Sequence, residues 1–330
     1  MPKNNEKKVG IVGVGYYVPE RRLTNLDLEK MVDTNDEWIR TRTGISERRI
    51  ADKGTGTSDL SAKAALAALK NAGVKPEEVD LLIAATTTPD MPLPSCACLI
   101  QEKIGAKNAA AFDLAAACAG FVYAVVTAEQ FIRTGTYQTV LVIGADLISS
   151  YIDWTDRSTC VLFGDGAGAV VLRQTEDGGI LSSVLGSDGH YAELLKICAG
   201  GSRMPASIET VQNKAHMLQM SGSEVCKLAV RGMSDAVLKA LDKAGVRKED
   251  VACFIPHQAN KRIIDAVSER LDFPPEKVFT NLQKYGNTSS ASCAIALCEA
   301  LEAGKIKKKD KVVLTTFGSG LVWGALVLEW

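Results

Sequence analysis

The sequence lacks the features that mark membrane, secreted and metal-binding proteins. No apolar run reaches the roughly 18 residues that a membrane helix needs, and the charged start, Met1 to Lys8, is not followed by the apolar segment of a signal peptide. There is no CxxC pair and there are only three histidines, so no metal site is expected. The net charge is -1, and no basic or acidic tail dominates the sequence. We therefore expect neither a membrane nor a nucleic acid as a partner.

Cysteine is present, but its pattern argues against disulfides. The nine cysteines are an odd number, and most of them lie in apolar sequence, as Cys253 does between Val251 and Ile255. This pattern favours buried free thiols over a disulfide framework. Because free thiols persist in reducing compartments, we expect a cytoplasmic protein.

The glycine-rich segment Val9 to Gly15 could be the phosphate loop of a dinucleotide-binding fold. Such a loop must run directly into a helix that holds the pyrophosphate. Here Tyr16 to Pro19 continues as extended chain, and the residue before a proline is biased away from helix. We therefore assign these glycines to close packing of a strand.

An internal repeat organises the 330 residues. Residues 64–83 match residues 236–255 at ten of twenty positions with a constant shift of 172, and the same shift places the strand Val140 to Ile143 on Val312 to Thr315. A repeat of this length indicates a duplicated domain. The apolar runs do not alternate, which is typical of strands buried on both faces. We predict two α/β halves, residues 1–172 and 173–330, with Asp188 to Met220 as a flap over a site.

Cys118 lies among small residues in Phe112 to Gly120, where a predicted strand turns into a predicted helix. The helix, Phe121 to Arg133, has apolar residues at helical spacing. A helix N-terminus favours the thiolate, so we expect a lowered pKa and a nucleophilic cysteine. The alternative is a buried structural cysteine.

Further polar residues follow predicted strands of the second half, where ligands bind in such folds. His257 follows one predicted strand, the segment Tyr285 to Ser292 with Asn287 follows the next and opens a helix, and the loop Phe317 to Leu321 follows a third. The repeat sets Cys118 opposite Ser290. A thiol, an imidazole and a carboxamide suit acyl transfer through a thioester, with an enolate held by His257 and Asn287. Amides near Cys118 and Gly320 could hold an oxyanion. The alternatives are a capping histidine, a helix-capping asparagine and turn glycines.

Six motifs occur along the chain in a specific order. They are DEWIRTRTG at 36–44, AACAG at 116–120, FGDGAG at 163–168, HQAN at 257–260, YGNTSS at 285–290 and FGSGLVWG at 317–324. Together they resemble the β-ketoacyl-[acyl carrier protein] synthase III family of thiolase-like condensing enzymes. The Cys-His-Asn set agrees with this family, since thiolases use a second cysteine and elongating synthases a second histidine.

The resemblance implies a thiolase-like α/β fold whose duplicated halves form layers in the order α-β-α-β-α around buried mixed sheets. It also implies a reaction. Cys118 would take an acyl group from acyl-CoA, malonyl-acyl carrier protein would lose CO2, and the resulting enolate would attack the acyl-cysteine to begin fatty-acid synthesis. His257 and Asn287 would stabilise the enolate, and acyl-CoA would be a substrate, with no permanently bound cofactor.

The resemblance assigns the binding residues as well. Trp38 and Arg157 would sandwich the CoA adenine, with Arg42 near its phosphates. Gly222 and Asn260 would line the pantetheine tunnel, and Lys261 and Arg262 would meet the acidic carrier protein. Leu93 would close the acyl pocket across a homodimer interface, where several acetyl-specific relatives carry phenylalanine. Two departures from the family pattern are Ser223, often asparagine, and Ser319, in a loop that is often all glycine.

Two other functions remain open at this level. A relative of the family could prime a polyketide or other secondary product, or transfer an acyl group without extending it. A noncatalytic acyl-CoA-binding homologue is the second alternative. The presence of Cys118, His257 and Asn287 together argues against it, because binding alone would not need all three.

Overall fold

A computed structural model describes residues 8–330, so the charged residues 1–7 lie outside the described part. Residues 8–174 form seven strands and six α-helices. The strands are β1 Val9–Tyr17, β2 Arg22–Thr24, β3 Glu47–Arg49, β4 Leu81–Ala85, β5 Ala110–Leu114, β6 Val140–Asp146 and β7 Gly166–Gln174. The helices are α1 Asn25–Leu28, α2 Asp36–Thr43, α3 Thr57–Ala72, α4 Cys96–Ile104, α5 Gly120–Arg133 and α6 Arg157–Cys160.

The rest of the chain adds six strands and five helices. The strands are β8 Gly179–Ser187, β9 Leu195–Ile197, β10 Leu218–Met220, β11 Val251–Pro256, β12 Lys311–Gly318 and β13 Val322–Glu329. The helices are α7 Ile208–Gln212, α8 Gly222–Ala244, α9 Lys261–Arg270, α10 Leu282–Tyr285 and α11 Ser292–Glu302.

Two mixed sheets repeat one topology. The first has the strand order β1-β7-β6-β4-β5, and the second has the order β8-β13-β12-β11. In each sheet the two pairings among the first three strands are antiparallel, and the next pairing, β6 with β4 or β12 with β11, is parallel. At the place of β5 the second sheet has a parallel bridge between Phe254 and Val278.

The predicted repeat matches the elements closely. Helices α3 and α8 end at Ala72 and Ala244, and each is followed by a glycine in the left-handed region, Gly73 and Gly245. Only glycine adopts this helix-ending conformation without steric penalty. Helices α5 and α11 begin at residues 120 and 292, again 172 apart. The division of the chain between residues 172 and 173 stays a prediction, and strand β7 itself runs to Gln174.

The elements form five layers, as the resemblance implies. Helices α3 and α4 cover the outer face of the first sheet, and α8 and α9 cover the outer face of the second. Helices α5 and α11 lie between the sheets, and one apolar cluster joins both helices to the inner faces of both sheets. Strands β4 and β6 are therefore buried on both faces, which explains their unbroken apolar sequence.

The N-terminal glycines serve packing, as predicted. A Cβ at Gly13 would lie 2.5 Å from Ala72 Cβ, and one at Gly15 would lie 2.3 Å from Ala68 N. Strand β1 can thus approach helix α3 closely only because these positions lack side chains. The strand continues to Tyr17 with no helix after the glycines, so the context of a dinucleotide loop is missing.

The segment from Asp188 to Met220 holds short elements, namely β9, α7 and β10. Its residues Leu195 and Met220 reach the cavity described below, which agrees with the predicted flap. Over residues 8–330, no helix combines the length and apolar character needed to cross a membrane.

Candidate active site

Cys118 lies on a tight turn that follows β5 and leads directly into α5. The turn, Ala117–Ala119, is a single 3-10 turn, and Ala117 has φ of 44°. A non-glycine residue in this region is strained by about 1–3 kcal/mol, so the surrounding structure must hold it there. The structure thus places Cys118 at the predicted strand-to-helix turn.

The second half contains the same turn. Ser289–Ala291 precedes α11, and Ser289 has φ of 51°, at the position that the repeat matches to Ala117. The residue opposite Cys118 is Ser290, as predicted, but its side chain is buried. Its hydroxyl donates to Asp146 Oδ2 at 2.7 Å and is 3.0 Å from the carbonyl oxygen of Ala85. The Ala117–Ala119 turn presents the thiol of Cys118 to the cavity, and the Ser289–Ala291 turn contacts that thiol through the Ser289 hydroxyl.

The expected low pKa of Cys118 is wrong. Cys118 keeps partial exposure where it faces the cavity. Burial nevertheless raises the pKa of its thiol to about 12, and the carboxylate of Asp146 adds to the increase. The hydroxyl of Ser289 donates to the sulfur at 3.3 Å and lowers the pKa, but by less. Desolvation of the thiolate therefore outweighs the stabilisation expected from the helix N-terminus, and the resting thiol is neutral.

Asp146 at the end of β6 is a fully buried carboxylate with hydrogen bonds from both halves. Its Oδ1 accepts from the hydroxyls of Thr86, Thr87 and Thr88 at 3.1 Å and from the backbone N–H of Thr87 at 2.8 Å. Its Oδ2 accepts from the backbone N–H and the hydroxyl of Ser290. Because a buried charge needs such partners, Asp146 fixes the Ser289–Ala291 turn next to the cysteine.

His257 follows β11 and is held on two sides. Its backbone N–H donates to the Thr315 carbonyl at 2.8 Å, and its ring Nδ1 lies 2.6 Å from Ser292 Oγ. The ring is buried, and burial lowers its pKa to about 4. His257 is therefore a neutral imidazole near pH 7, able to donate one hydrogen bond from its ring.

Asn287 is held by its own turn. Its side-chain Oδ1 accepts the backbone N–H of Ser289 at 2.9 Å, which leaves the amide NH2 as the remaining side-chain donor. Its backbone N–H donates to the Leu162 carbonyl at 2.8 Å. The segment from Asn287 to Ser292 thus contains one predicted catalytic residue and contacts the other two, because Ser289 bonds to Cys118 and Ser292 bonds to His257.

One cavity of about 520 Å3 contains these three side chains on its wall. Gly222 and Asn260, predicted for the pantetheine tunnel, line the same cavity, as do Trp38 and Arg42. The guanidinium of Arg42 lies 5.0 Å from the centre of the Trp38 ring, and that of Arg157 lies 4.8 Å from it. Arg157 also donates to the Asp33 carbonyl at 2.7 Å. The tryptophan and the two arginines therefore form one cluster at the cavity wall.

Other predicted residues lie elsewhere. Leu93 is 85% exposed and does not line the cavity of its own chain. Arg262 lines the cavity, whereas Lys261 is exposed and bonds to Asp265 at 2.7 Å. Gly320 is not part of the lining, but Gly318 is. A Cβ at Gly318 would lie 2.7 Å from the backbone N of Cys118, so strand β12 ends directly against the cysteine turn.

Three residues that the structure brings to the site were not predicted from the sequence. Ser289 bonds to Cys118, Ser292 bonds to His257, and Lys227 lines the cavity. Gly318 belongs to the predicted loop Phe317 to Leu321, and its contact with the cysteine turn was not predicted. The match of Ser289 with Ala117 in the repeat could have indicated Ser289, and helical spacing from Ser223 could have indicated Lys227. Ser292 gave no signal, since a serine at the start of a helix is common.

The duplicated five-layer fold, with a cysteine on the turn between the sheets, defines the thiolase-like class of condensing enzymes. The 3-oxoacyl-[acyl-carrier-protein] synthase III model matches residues 112–189, and its C-terminal counterpart matches residues 241–330. A β-ketoacyl-[acyl-carrier-protein] synthase III of Caldanaerobacter subterraneus subsp. tengcongensis is 55% identical over 97% of both chains. The crystal structure of 3-oxoacyl-[acyl-carrier-protein] synthase III from Aquifex aeolicus superposes with a TM-score of 0.91 at 49% identity, covering 98% of this chain and 100% of that one.

A third similar structure is the priming β-ketosynthase from the R1128 polyketide biosynthetic pathway. It has a TM-score of 0.92 at 35% identity and covers 100% of this chain and 98% of that one. The full-length identity and the family matches agree with each other. The chain belongs to the 3-oxoacyl-[acyl-carrier-protein] synthase III family.

Proposed function

We propose that this protein condenses a short acyl-CoA, with acetyl-CoA as the first candidate, with malonyl-acyl carrier protein. The products are 3-oxoacyl-acyl carrier protein, CoA and CO2, and the reaction begins fatty-acid synthesis. The observation that carries the proposal is the single cavity shared by Cys118, His257 and Asn287. Full-length relatives with the matching printed name support it.

In the first half-reaction the sulfur of Cys118 attacks the thioester carbonyl of acyl-CoA. The new C–S bond replaces the bond to CoA, and the cysteine proton leaves with the CoA thiol. Because the resting thiol is neutral, thiolate formation must accompany binding or attack. Backbone N–H groups of Cys118 and Gly320 stabilise the oxyanion in this proposal, and such a donor typically contributes about 3–4 kcal/mol.

In the second half-reaction malonyl-acyl carrier protein loses CO2. The two electrons of the broken C–C bond form an enolate, whose oxygen accepts hydrogen bonds from His257 and Asn287. The enolate carbon then attacks the acyl-cysteine carbonyl, and the Cys118 thiolate leaves. A neutral imidazole and an amide suit this role, because both donate hydrogen bonds without a change of charge.

The Trp38 cluster and the basic residues at the cavity suit CoA and an acidic carrier protein. Trp38 and Arg157 offer the two sides of a sandwich for adenine, and Arg42 offers charge near the phosphate groups. Arg157 already lies over the ring, so adenine must displace it to form the proposed sandwich. Arg262 and Lys227, both at the cavity, favour an acidic carrier more than Lys261, whose charge is paired with Asp265.

We also propose that the protein is a homodimer. Leu93 is 85% exposed and Met91 beside it is half-exposed, so this segment offers apolar surface to a partner subunit. Strand β5 is an edge strand, so its outer backbone groups are free to pair with another strand. In a dimer Leu93 would close the acyl pocket of the partner. The nine free cysteines support a reducing compartment such as the cytoplasm.

The test separates the two half-reactions. Radiolabelled acetyl-CoA should label the wild-type protein at Cys118, and malonyl-carrier protein should then release labelled 3-oxoacyl product. Cys118→Ala should lose labelling and condensation but keep some CO2 release, whereas His257→Ala and Asn287→Ala should lose CO2 release. If either of the latter two retained more decarboxylation than Cys118→Ala, the assigned roles would be wrong.

The alternative is a priming synthase of a polyketide or other secondary pathway, or an acyltransferase without extension. The structural similarity to the R1128 priming ketosynthase supports the priming synthase as the stronger of these two alternatives. Comparing carrier proteins of fatty-acid and polyketide systems in the same assay distinguishes the pathways. Label on Cys118 without any 3-oxoacyl product would indicate transfer alone, and no label would indicate a binding protein.

A further inference from the structure

His257 carries one ring proton near pH 7, and its position decides what the ring can do. With the proton on Nε2, that atom donates, and with the proton on Nδ1, Nε2 can only accept. Over residues 8–330, the one hydrogen bond of the ring joins Nδ1 to Ser292 Oγ at 2.6 Å. Both residues are buried, with Ser292 only 2% exposed.

The direction of this bond follows from the other partners of Ser292. Its oxygen is 3.4 Å from the backbone N of Gln258, which can only donate to it. The serine proton therefore needs an acceptor elsewhere. The candidates are His257 Nδ1 and the neighbouring Cys293 thiol, and sulfur is a weak acceptor. If Nδ1 held the ring proton, the serine oxygen would receive two donors and its own proton would have no good acceptor.

We propose that the hydroxyl of Ser292 is a positioning residue that donates to Nδ1 and fixes His257 as the Nε2–H tautomer. The consequence rests on the proposed function: His257 acts as a hydrogen-bond donor to the enolate and not as the base for Cys118. Asn287 is fixed in the same sense, because its Oδ1 accepts the N–H of Ser289. Both groups are thus held as donors before substrate binds.

The repeat shows that this serine is not required by the fold. Ser292 is the first residue of α11, and the matching first residue of α5 is Gly120, which has no side chain. The same turn and helix therefore form without the hydroxyl. Its presence in the half that carries His257 fits a role toward the imidazole.

The direct test is nitrogen NMR of the ligand-free protein labelled with 15N-histidine. The chain has three histidines, and the spectrum of His257→Ala identifies the signals of His257 by their loss. We expect a protonated Nε2 and an unprotonated, hydrogen-bonded Nδ1 at pH 7. Protonation at Nδ1 in the wild type would overturn the proposal.

The functional test uses Ser292→Ala, with Ser292→Thr to restore the hydroxyl. Ser268→Ala is the matched control, because Ser268 is also buried and its hydroxyl bonds to the Ile264 carbonyl of α9. We expect Ser292→Ala to lower malonyl-carrier-protein decarboxylation roughly tenfold, the effect of one lost orienting hydrogen bond, and Ser292→Thr to recover it. The control should match the wild type.

Labelling of Cys118 by acetyl-CoA should change little in Ser292→Ala, because a donor histidine has no part in removing the thiol proton. Loss of labelling and decarboxylation together would instead make His257 the base and refute the inference. Unchanged 15N signals and unchanged decarboxylation in Ser292→Ala would refute it as well. A wild-type protein that takes no label fails the proposed function, while the NMR result still stands on its own.

Discussion

Gly318 offers the sharpest test of how the cysteine turn is positioned. A Cβ at residue 318 would lie 2.7 Å from Cys118 N, 3.1 Å from Ala117 Cβ and 3.2 Å from Ala119 N. Nonbonded heavy atoms pack best at about 3.5–4.0 Å, so Gly318→Ala must move the turn by roughly 0.8–1.3 Å. A misplacement of about 1 Å in a reacting group costs on the order of 100-fold in rate.

We therefore expect Gly318→Ala to lower kcat for condensation roughly 100-fold and to slow acetyl labelling of Cys118. The KM for acyl-CoA should change much less, because the Trp38 cluster belongs to other elements. Gly201→Ala is the matched control, since a Cβ there has no neighbour within 4 Å. Thermal melting of both variants would confirm that they fold. Activity of Gly318→Ala within about threefold of wild type would refute the reasoning from this contact.

Three other predictions concern the proposed adenine site at Trp38, the proposed acyl pocket at Leu93 and the thiol of Cys118. Trp38→Ala should raise the KM for acetyl-CoA roughly tenfold with little change in kcat, and an acetyl-pantetheine substrate without adenine should show no such difference. Leu93→Phe should lower the ratio of isobutyryl-CoA to acetyl-CoA kcat/KM roughly tenfold, at about 0.8 kcal/mol per lost methylene contact; exposed Leu26→Phe should not, and an unchanged ratio would exclude Leu93 from the pocket. Alkylation of Cys118, followed by mass spectrometry, should keep rising from pH 7 to about 10, because burial raises its pKa to about 12. A plateau near neutral pH would show a lowered pKa instead.

The fold was predictable because its signals are local and repeated. The apolar runs of β4 and β6 do not alternate, which is typical of strands buried on both faces. Gly73 and Gly245 mark the ends of matching helices, and the constant shift links the halves. The positions of Cys118 and His257 after strands also followed from the pattern, since strand ends meet at one edge. The strand predicted before Asn287 is wrong, because helix α10 precedes this residue.

The electrostatics of the site were not predictable in the same way. The pKa of Cys118 depends on burial by distant segments and on Asp146, which no local pattern connects to the cysteine. The bond between Ser292 and His257 joins residues 35 positions apart, and Gly318 reaches the cysteine turn from another strand. A helix N-terminus can be recognised from the sequence, but the desolvation that opposes its effect depends on the completed packing.

The shared central layer has a consequence for how the chain folds. Phe121 of α5 and Leu297 of α11 pack into one apolar cluster with Val142 of β6 and Leu314 of β12, so both halves contribute to it. A fragment containing either half alone would expose its face of this cluster to water, and the buried carboxylate of Asp146 would lose the donors of Ser290. Each half thus matches the other in sequence and topology without being an independent folding unit, and the two halves should lose their structure together on unfolding.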